Sequence, residues 1–172
     1  MGDQLEQIQT DYIPVEDRIL LKLRSGNQLY RLWLTRRYVG LLLPVLQGVH
    51  PQTGERFSDP PAVDPQLDEQ FTPQKEAPLE QQAETVRLEY PLGEEPVLLT
   101  EISFQAPSSQ HAQGQLVLKP QRGEGIVLPF SPTMNHLLLK LLLQTLKNTD
   151  WLQPLQTDYY TEAVLSGSTA LQ

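Results

Sequence analysis

The stretch Asp17–Gln47, DRILLKLRSGNQLYRLWLTRRYVGLLLPVLQ, holds two alternating runs, a turn signal and an apolar helical pattern. From Arg18 to Arg24, Ile19, Leu21 and Leu23 share one face, while Lys22 and Arg24 share the other and Leu20 interrupts it. Ser25-Gly26-Asn27 reads as a tight turn, because Gly and Asn accept positive φ. Gln28–Leu34 then alternates again, with Tyr30, Leu32 and Leu34 inward and Arg31 and Trp33 outward. Together these runs predict a hairpin with one buried and one wet face. Thr35 is placed to cap a helix from Arg36, carried by Tyr38, Val39, Leu41, Leu42, Val45 and Leu46. Pro44 is expected to kink or end that helix, since it removes a backbone hydrogen bond.

The same order recurs from Gln115 to Leu146. Gln115–Lys119 and Ile126–Phe130 predict a second hairpin across a Pro- and Gly-containing loop. Ser131-Pro132 is a helix start, with Ser as N-cap and Pro at the first helical position, and the helix is expected to run to about Asn148. At a shift of 96 residues, Leu34-Thr35-Arg36 lies on Phe130-Ser131-Pro132, and Leu41, Leu42, Leu43 and Leu46 lie on Leu137, Leu138, Leu139 and Leu142. We read this as an internal duplication. Ile8, Tyr12, Ile13 and Val15 predict an edge strand, with Pro14 keeping it at the edge. Thr85–Tyr90 and Val97–Gln105 predict two more strands, the second with Leu98, Thr100, Ile102 and Phe104 on one side.

The expected fold class is therefore α+β: two strand-rich repeats, βββα and ββββα, each ending in an apolar helix, with antiparallel sheet packed on helices. The expected division is a first repeat over residues 1–47, a Pro/Gln-rich acidic linker over 48–84, a second repeat over 85–155 and a polar tail over 156–172. Phe57, Leu67, Phe71 and Leu79 are candidates to pin the linker to the core. Glu76, Glu80 and Glu84 read as a solvated helical face. Trp151, Leu152 and Leu155 are expected to cap the core.

A chain of 172 residues with 39% hydrophobic content can build one compact core. It has no cysteine, which removes disulfides and thiolate chemistry and suits a cytoplasmic location. The first residues carry neither the basic nor the apolar region of a secretory signal, and no apolar run is long enough for a bilayer. The net charge of −8 argues against a generic polyanion binder. Its distribution is uneven. Six of the thirteen Lys and Arg residues and no Asp or Glu lie between Arg18 and Gly54, so that segment carries +6 and the remainder −14.

Lys22, Arg24, Arg31 and Trp33 combine charge with a stacking surface on the outer hairpin face, as a single-stranded nucleic-acid groove requires. An ordinary solvent face, with Arg31 or Arg24 packed over Trp33, accounts for the same residues. Arg36 and Arg37 oppose the helix dipole, so a nearby carboxylate or an anionic partner is expected to offset them. The basic, aromatic hairpin and the strand–helix order resemble the repeats of PUR-type and Whirly-type single-stranded nucleic-acid binders, which implies a curved antiparallel sheet as the binding surface.

The three histidines, His50, His111 and His136, have no metal-ligand spacing. Ser131 is accounted for as a cap, no G-x-S-x-G is present, and Gly123-Glu124-Gly125 is explained by turn geometry. Neither a cofactor nor catalysis is expected. Leucine on the Pro132–Asn148 helix exceeds what one sheet can cover, so Leu138, Leu139, Leu142, Leu143 and Leu146 are candidates for a homodimer interface. The expected function is binding or assembly by a non-catalytic homodimer. The alternative is single-stranded nucleic-acid binding through the first hairpin.

Overall fold

The computed structural model describes residues 5–58 and 87–151. Three strands come first: β1 (Gln7–Ile13), β2 (Arg18–Ser25) and β3 (Gln28–Leu34), followed by helix α1 (Arg36–Leu46). Four strands and a helix complete the order: β4 (Val97–Leu98), β5 (Glu101–Gln105), β6 (Gly114–Lys119), β7 (Ile126–Phe130) and α2 (Pro132–Leu146). The chain is α+β, with a four-stranded sheet β1-β2-β3-β4 and a three-stranded sheet β5-β6-β7.

The first hairpin pairs Ile19 with Leu34, Leu21 with Leu32 and Leu23 with Tyr30 on the inner face. Leu20 pairs with Trp33, Lys22 with Arg31 and Arg24 with Leu29 on the outer face, which is not the wet face expected, because Leu20, Lys22 and Leu29 are buried there too. Gly26 takes φ 59 at the first position of the two-residue turn, where a side chain would be strained. β1 lies at the sheet edge, as expected, with Tyr12 opposite Ile19.

Both helices begin alike. The hydroxyl of Thr35 accepts from the Tyr38 N–H at 3.2 Å, and that of Ser131 accepts from the Met134 N–H at 3.2 Å. Each cap follows the last strand of a three-stranded antiparallel meander. Pro44 does not break α1, which continues to Leu46. The helix stops instead at Gly48 (φ 77), whose N–H bonds to Val45 O at 3.0 Å while Val49 N–H bonds to Pro44 O at 2.9 Å. This paired closure satisfies carbonyls that the helix end would leave open.

Three expectations change. The sheet is not wholly antiparallel: β4 runs parallel to β3, with Leu32 opposite Val97 and Trp33 opposite Leu98. A long connection after α1 returns the chain to the start of β3, and only a crossover of that kind permits parallel pairing. Thr85–Tyr90 is not a strand where it is described: Glu89 makes an isolated bridge to Gln28. Val97–Gln105 is not one strand of constant face. Leu99 N–H bonds to Trp33 O in the first sheet, and Thr100 N–H bonds to Lys119 O in the second. The strand changes sheets there, which turns Leu99 inward and leaves Leu98 outward, while Ile102 and Phe104 pack on the core.

One core joins the inner faces of both sheets, α1, α2, Leu99 and Trp151. α2 contributes Leu137, Leu138, Leu139, Leu141, Leu142 and Leu146 to it. Each such leucine contributes roughly 1.5–3 kcal/mol by leaving water. The helices also cross between the halves. Tyr38 of α1 donates its hydroxyl to Glu101 O at 3.0 Å, and burial pushes its pKa up. From α2, Thr145 lies 2.6 Å from the Thr10 hydroxyl and donates to Thr10 O at 3.3 Å. Within the expected linker, residues 48–58 form a turn, and Phe57 stacks on Phe104 at 4.8 Å and on Phe130 at 5.7 Å, as a pin to the core. Leu67, Phe71, Leu79, Glu76, Glu80, Glu84, Leu152, Leu155 and the tail from 156 lie outside the described residues.

Candidate binding surface

The β2–β3 register places Lys22, Arg24, Arg31 and Trp33 on one outer face. Their side chains are not equally available. Lys22 is 9% exposed, and Leu20 on the same face 7%. Arg24 donates from Nε to Gly26 O at 2.9 Å, and Arg31 donates from Nη1 to Glu94 O at 2.9 Å. Both guanidiniums therefore brace backbone carbonyls. Neither of them is the cation packed over Trp33. That position belongs to Arg18, whose guanidinium carbon is 6.0 Å from the ring centroid. Arg18 leads β2 in the same alternation as Leu20 and Lys22, which brings it onto the Trp33 face.

Arg18 makes no hydrogen bond or ion pair among the described residues, so its donors stay unused while cation–π attraction holds it in place. Beside it lies Leu98, 37% exposed, opposite Trp33 in the register. Sequence periodicity did not single out Arg18 or Leu98. Arg18 sits at a strand start, and Leu98 turns outward only because the strand changes sheets at Leu99.

Arg36 and Arg37 are both exposed in the first turn of α1. Arg36 lies close enough to Asp17 to lower the carboxyl pKa. Asp17 itself holds a network that sequence reasoning missed. Its carboxylate accepts from Trp151 Nε1 at 2.7 Å and from Tyr12 Oη at 2.8 Å. Those two hydrogen bonds, Trp151 first, are the larger causes of its lowered pKa. Tyr12 also meets the Trp151 ring edge-on at 5.7 Å. The backbone of Asp17 takes φ 51, which Asp tolerates better than most residues.

The candidate interface leucines lie elsewhere than on an open surface. Leu138, Leu139, Leu142 and Leu146 are buried within the single chain, and Leu143 is half-buried against the same core. Two sheets and a second helix together cover what one sheet could not. Some groups on the outermost strands already have partners or carry strand breakers. Thr145 bonds to Thr10 O at the middle of β1, Tyr38 bonds to Glu101 O at the start of β5, β7 carries Pro129, and β4 is two residues long. Each of these blunts strand addition. Exposed apolar side chains remain at Leu98, Val127 (55% exposed) and the turn residue Val15 (95% exposed).

Among the described residues, no three His, Asp or Glu side chains cluster as metal ligands. His50 Nδ1 accepts from Gln52 N–H and Thr53 N–H, both at 3.2 Å, and His111 lies 3.4 Å from Gln115 Nε2. No helix of the described residues is long and apolar enough to cross a membrane. No family model, curated protein or solved structure matches the chain. The resemblance to PUR-type and Whirly-type repeats rests on element order and hairpin composition.

Proposed function

We propose that the chain is a non-catalytic binding or assembly protein that works as a homodimer. The observation that carries this reading is the patch of Arg18, Trp33 and Leu98. Arg and Trp are the side chains that most often dominate binding energy at interfaces, and here they are held together before any partner arrives. The polar groups that could suggest catalysis have structural roles: Thr35 and Ser131 cap helices, Tyr38 joins α1 to β5, and Asp17 anchors Trp151. The cysteine-free sequence suits the cytoplasm. An internal duplication is part of the proposal. Two capped helices at a shift of 96 residues support it, as does the hydrogen bond of each helix to a strand of the other half, Tyr38 to β5 and Thr145 to β1.

Sedimentation velocity of the full chain tests the dimer. A species at twice the 19.5 kDa chain mass is expected at micromolar concentration, and a monomer throughout would remove the claim.

A second reading, single-stranded nucleic-acid binding, is favoured by the shared outer face of Lys22, Arg24, Arg31 and Trp33. It predicts a shift of labelled single-stranded DNA or RNA at low salt that weakens steeply as salt is added. No shift at low salt would eliminate it.

A further inference from the structure

We propose that the homodimer forms by exchange of the β1–β2 turn, with Val15 and Glu16 of each copy seated on the Arg18–Trp33–Leu98 patch of the other. This rests on the dimer reading above and names its interface and its occupant, a second copy of this chain.

The turn is built to be presented. Glu16 N–H bonds to Ile13 O at 3.1 Å and Asp17 N–H bonds to Pro14 O at 3.2 Å, which closes the loop. Asp17 is then tied to both Tyr12 and Trp151, so the base of the turn is anchored to the core. At its tip Val15 is 95% exposed and Glu16 is exposed beside it. A rigid turn that holds an aliphatic group in water gains by burying it, and little conformational freedom is lost on docking.

The patch complements that tip. Arg18 carries unused guanidinium donors, fixed over Trp33, and Leu98 supplies an adjacent apolar surface. Among the described residues, Glu16 and Arg18 make no ion pair within the chain. Across the dimer, Glu16 meets Arg18 of the partner subunit, a pairing that carboxylate and guanidinium can make through two parallel hydrogen bonds. Val15 then covers the partner's Trp33 and Leu98.

Position makes the exchange possible. The turn directly precedes Arg18, so donor and acceptor lie at the same end of the first sheet. A twofold axis close to Arg18 carries each turn onto the other copy's patch and closes the assembly at two. A nucleic acid is served less well, because Arg18 already covers one face of Trp33 and the chain carries −8 overall. So few side chains per copy make a small interface, and a reversible micromolar dimer is expected.

Sedimentation of the full chain over about 1–200 µM tests this, with far-UV circular dichroism to verify folding. Val15→Ser, Glu16→Arg and Arg18→Glu are each expected to weaken the dimer about tenfold or more, whereas Glu16→Arg combined with Arg18→Glu restores it to within about threefold of wild type. Both exposed turn substitutions leave the core untouched, so they remain informative if Arg18→Glu impairs folding. A wild-type dimer indifferent to Val15→Ser and Glu16→Arg would overturn the interface while leaving the dimer standing. A wild-type monomer over the whole range overturns both.

Discussion

Trp151 donates its indole N–H to the carboxylate of Asp17 at 2.7 Å, across 134 positions of sequence. The contact joins the turn that follows α2 to the β1–β2 turn, and Tyr12 completes it from the strand. Trp151 is 1% exposed, so Trp151→Ala is expected to cost about 3–5 kcal/mol through the cavity it leaves. Trp151→Phe keeps an aromatic ring but removes the donor and part of the buried indole volume, so its loss should be smaller than that of Trp151→Ala. Chemical denaturation followed by circular dichroism measures both.

The same carboxylate predicts the acid response. Its pKa is lowered, so its contribution is present above the unfolded value of about 3.9 and is lost as pH falls through the folded value. Wild type should therefore lose stability below about pH 4. Asp17→Asn tolerates the same positive φ, removes the charge and should show a smaller difference in urea midpoint between about pH 6 and pH 3. An unchanged difference would remove Asp17 from the acid response.

Thr145 and Thr10 tie α2 to the first strand. Thr145→Val is nearly isosteric, but it removes the donor to Thr10 O and the contact between hydroxyls. The expected loss is about 1–3 kcal/mol, and Thr145→Ser should recover part of it. Hydrogen exchange localises the effect: amides of β1 should lose protection in Thr145→Val before those of β6.

Two glycines should respond in opposite directions. Gly40 lies inside α1, and a Cβ added there meets nothing within 4 Å. Gly40→Ala should stabilise by roughly 0.5–1 kcal/mol, or about 1–4 °C in Tm. A Cβ at Gly125 lands on the Leu118 carbonyl in the β6–β7 hairpin. Gly125→Ala must push those strands apart and should lower Tm sharply. Thermal unfolding of the two variants side by side checks the contrast.

Periodicity carried the fold where the pattern is local, although it missed that both faces of β2 are buried at Leu20 and Lys22. The alternation at Arg18–Leu34 gave the hairpin, and the hydroxyl followed by a leucine-rich run gave both caps. It failed where a residue answers to two neighbours at once. Leu98 and Leu99 lie in an unbroken apolar run, and only the passage from one sheet to the other decides which faces out. Likewise, the leucines of α2 look surplus until both sheets and α1 are assembled around them. Arg18, rather than Arg24 or Arg31, reaches Trp33 because a diagonal neighbour across a twisted ladder is closer than alternation suggests. The Asp17 network had no local signal, since its partners are Tyr12 and Trp151 and only the closed fold brings the indole near.

Phe57 tests how the segment after α1 is held on the second sheet. It stacks on Phe104 and Phe130, while those two rings meet edge-on at 4.7 Å. Phe104 in turn lies over Gly114, where an added Cβ would come within 2.9 Å of its ring. The three rings therefore close one end of the second sheet, with residues 48–58 supplying the outermost. Phe57 is 37% exposed, so Phe57→Ala should cost about 1–3 kcal/mol, less than a fully buried ring. Phe57→Leu keeps apolar area without the ring geometry and should fall between the two. If Phe57→Ala leaves stability unchanged, the turn is carried by Gly48 and its backbone bonds alone, and the aromatic contacts are incidental. If it destabilises and Gly114→Ala does so too, with less than additive loss in the double variant, the cluster acts as one unit.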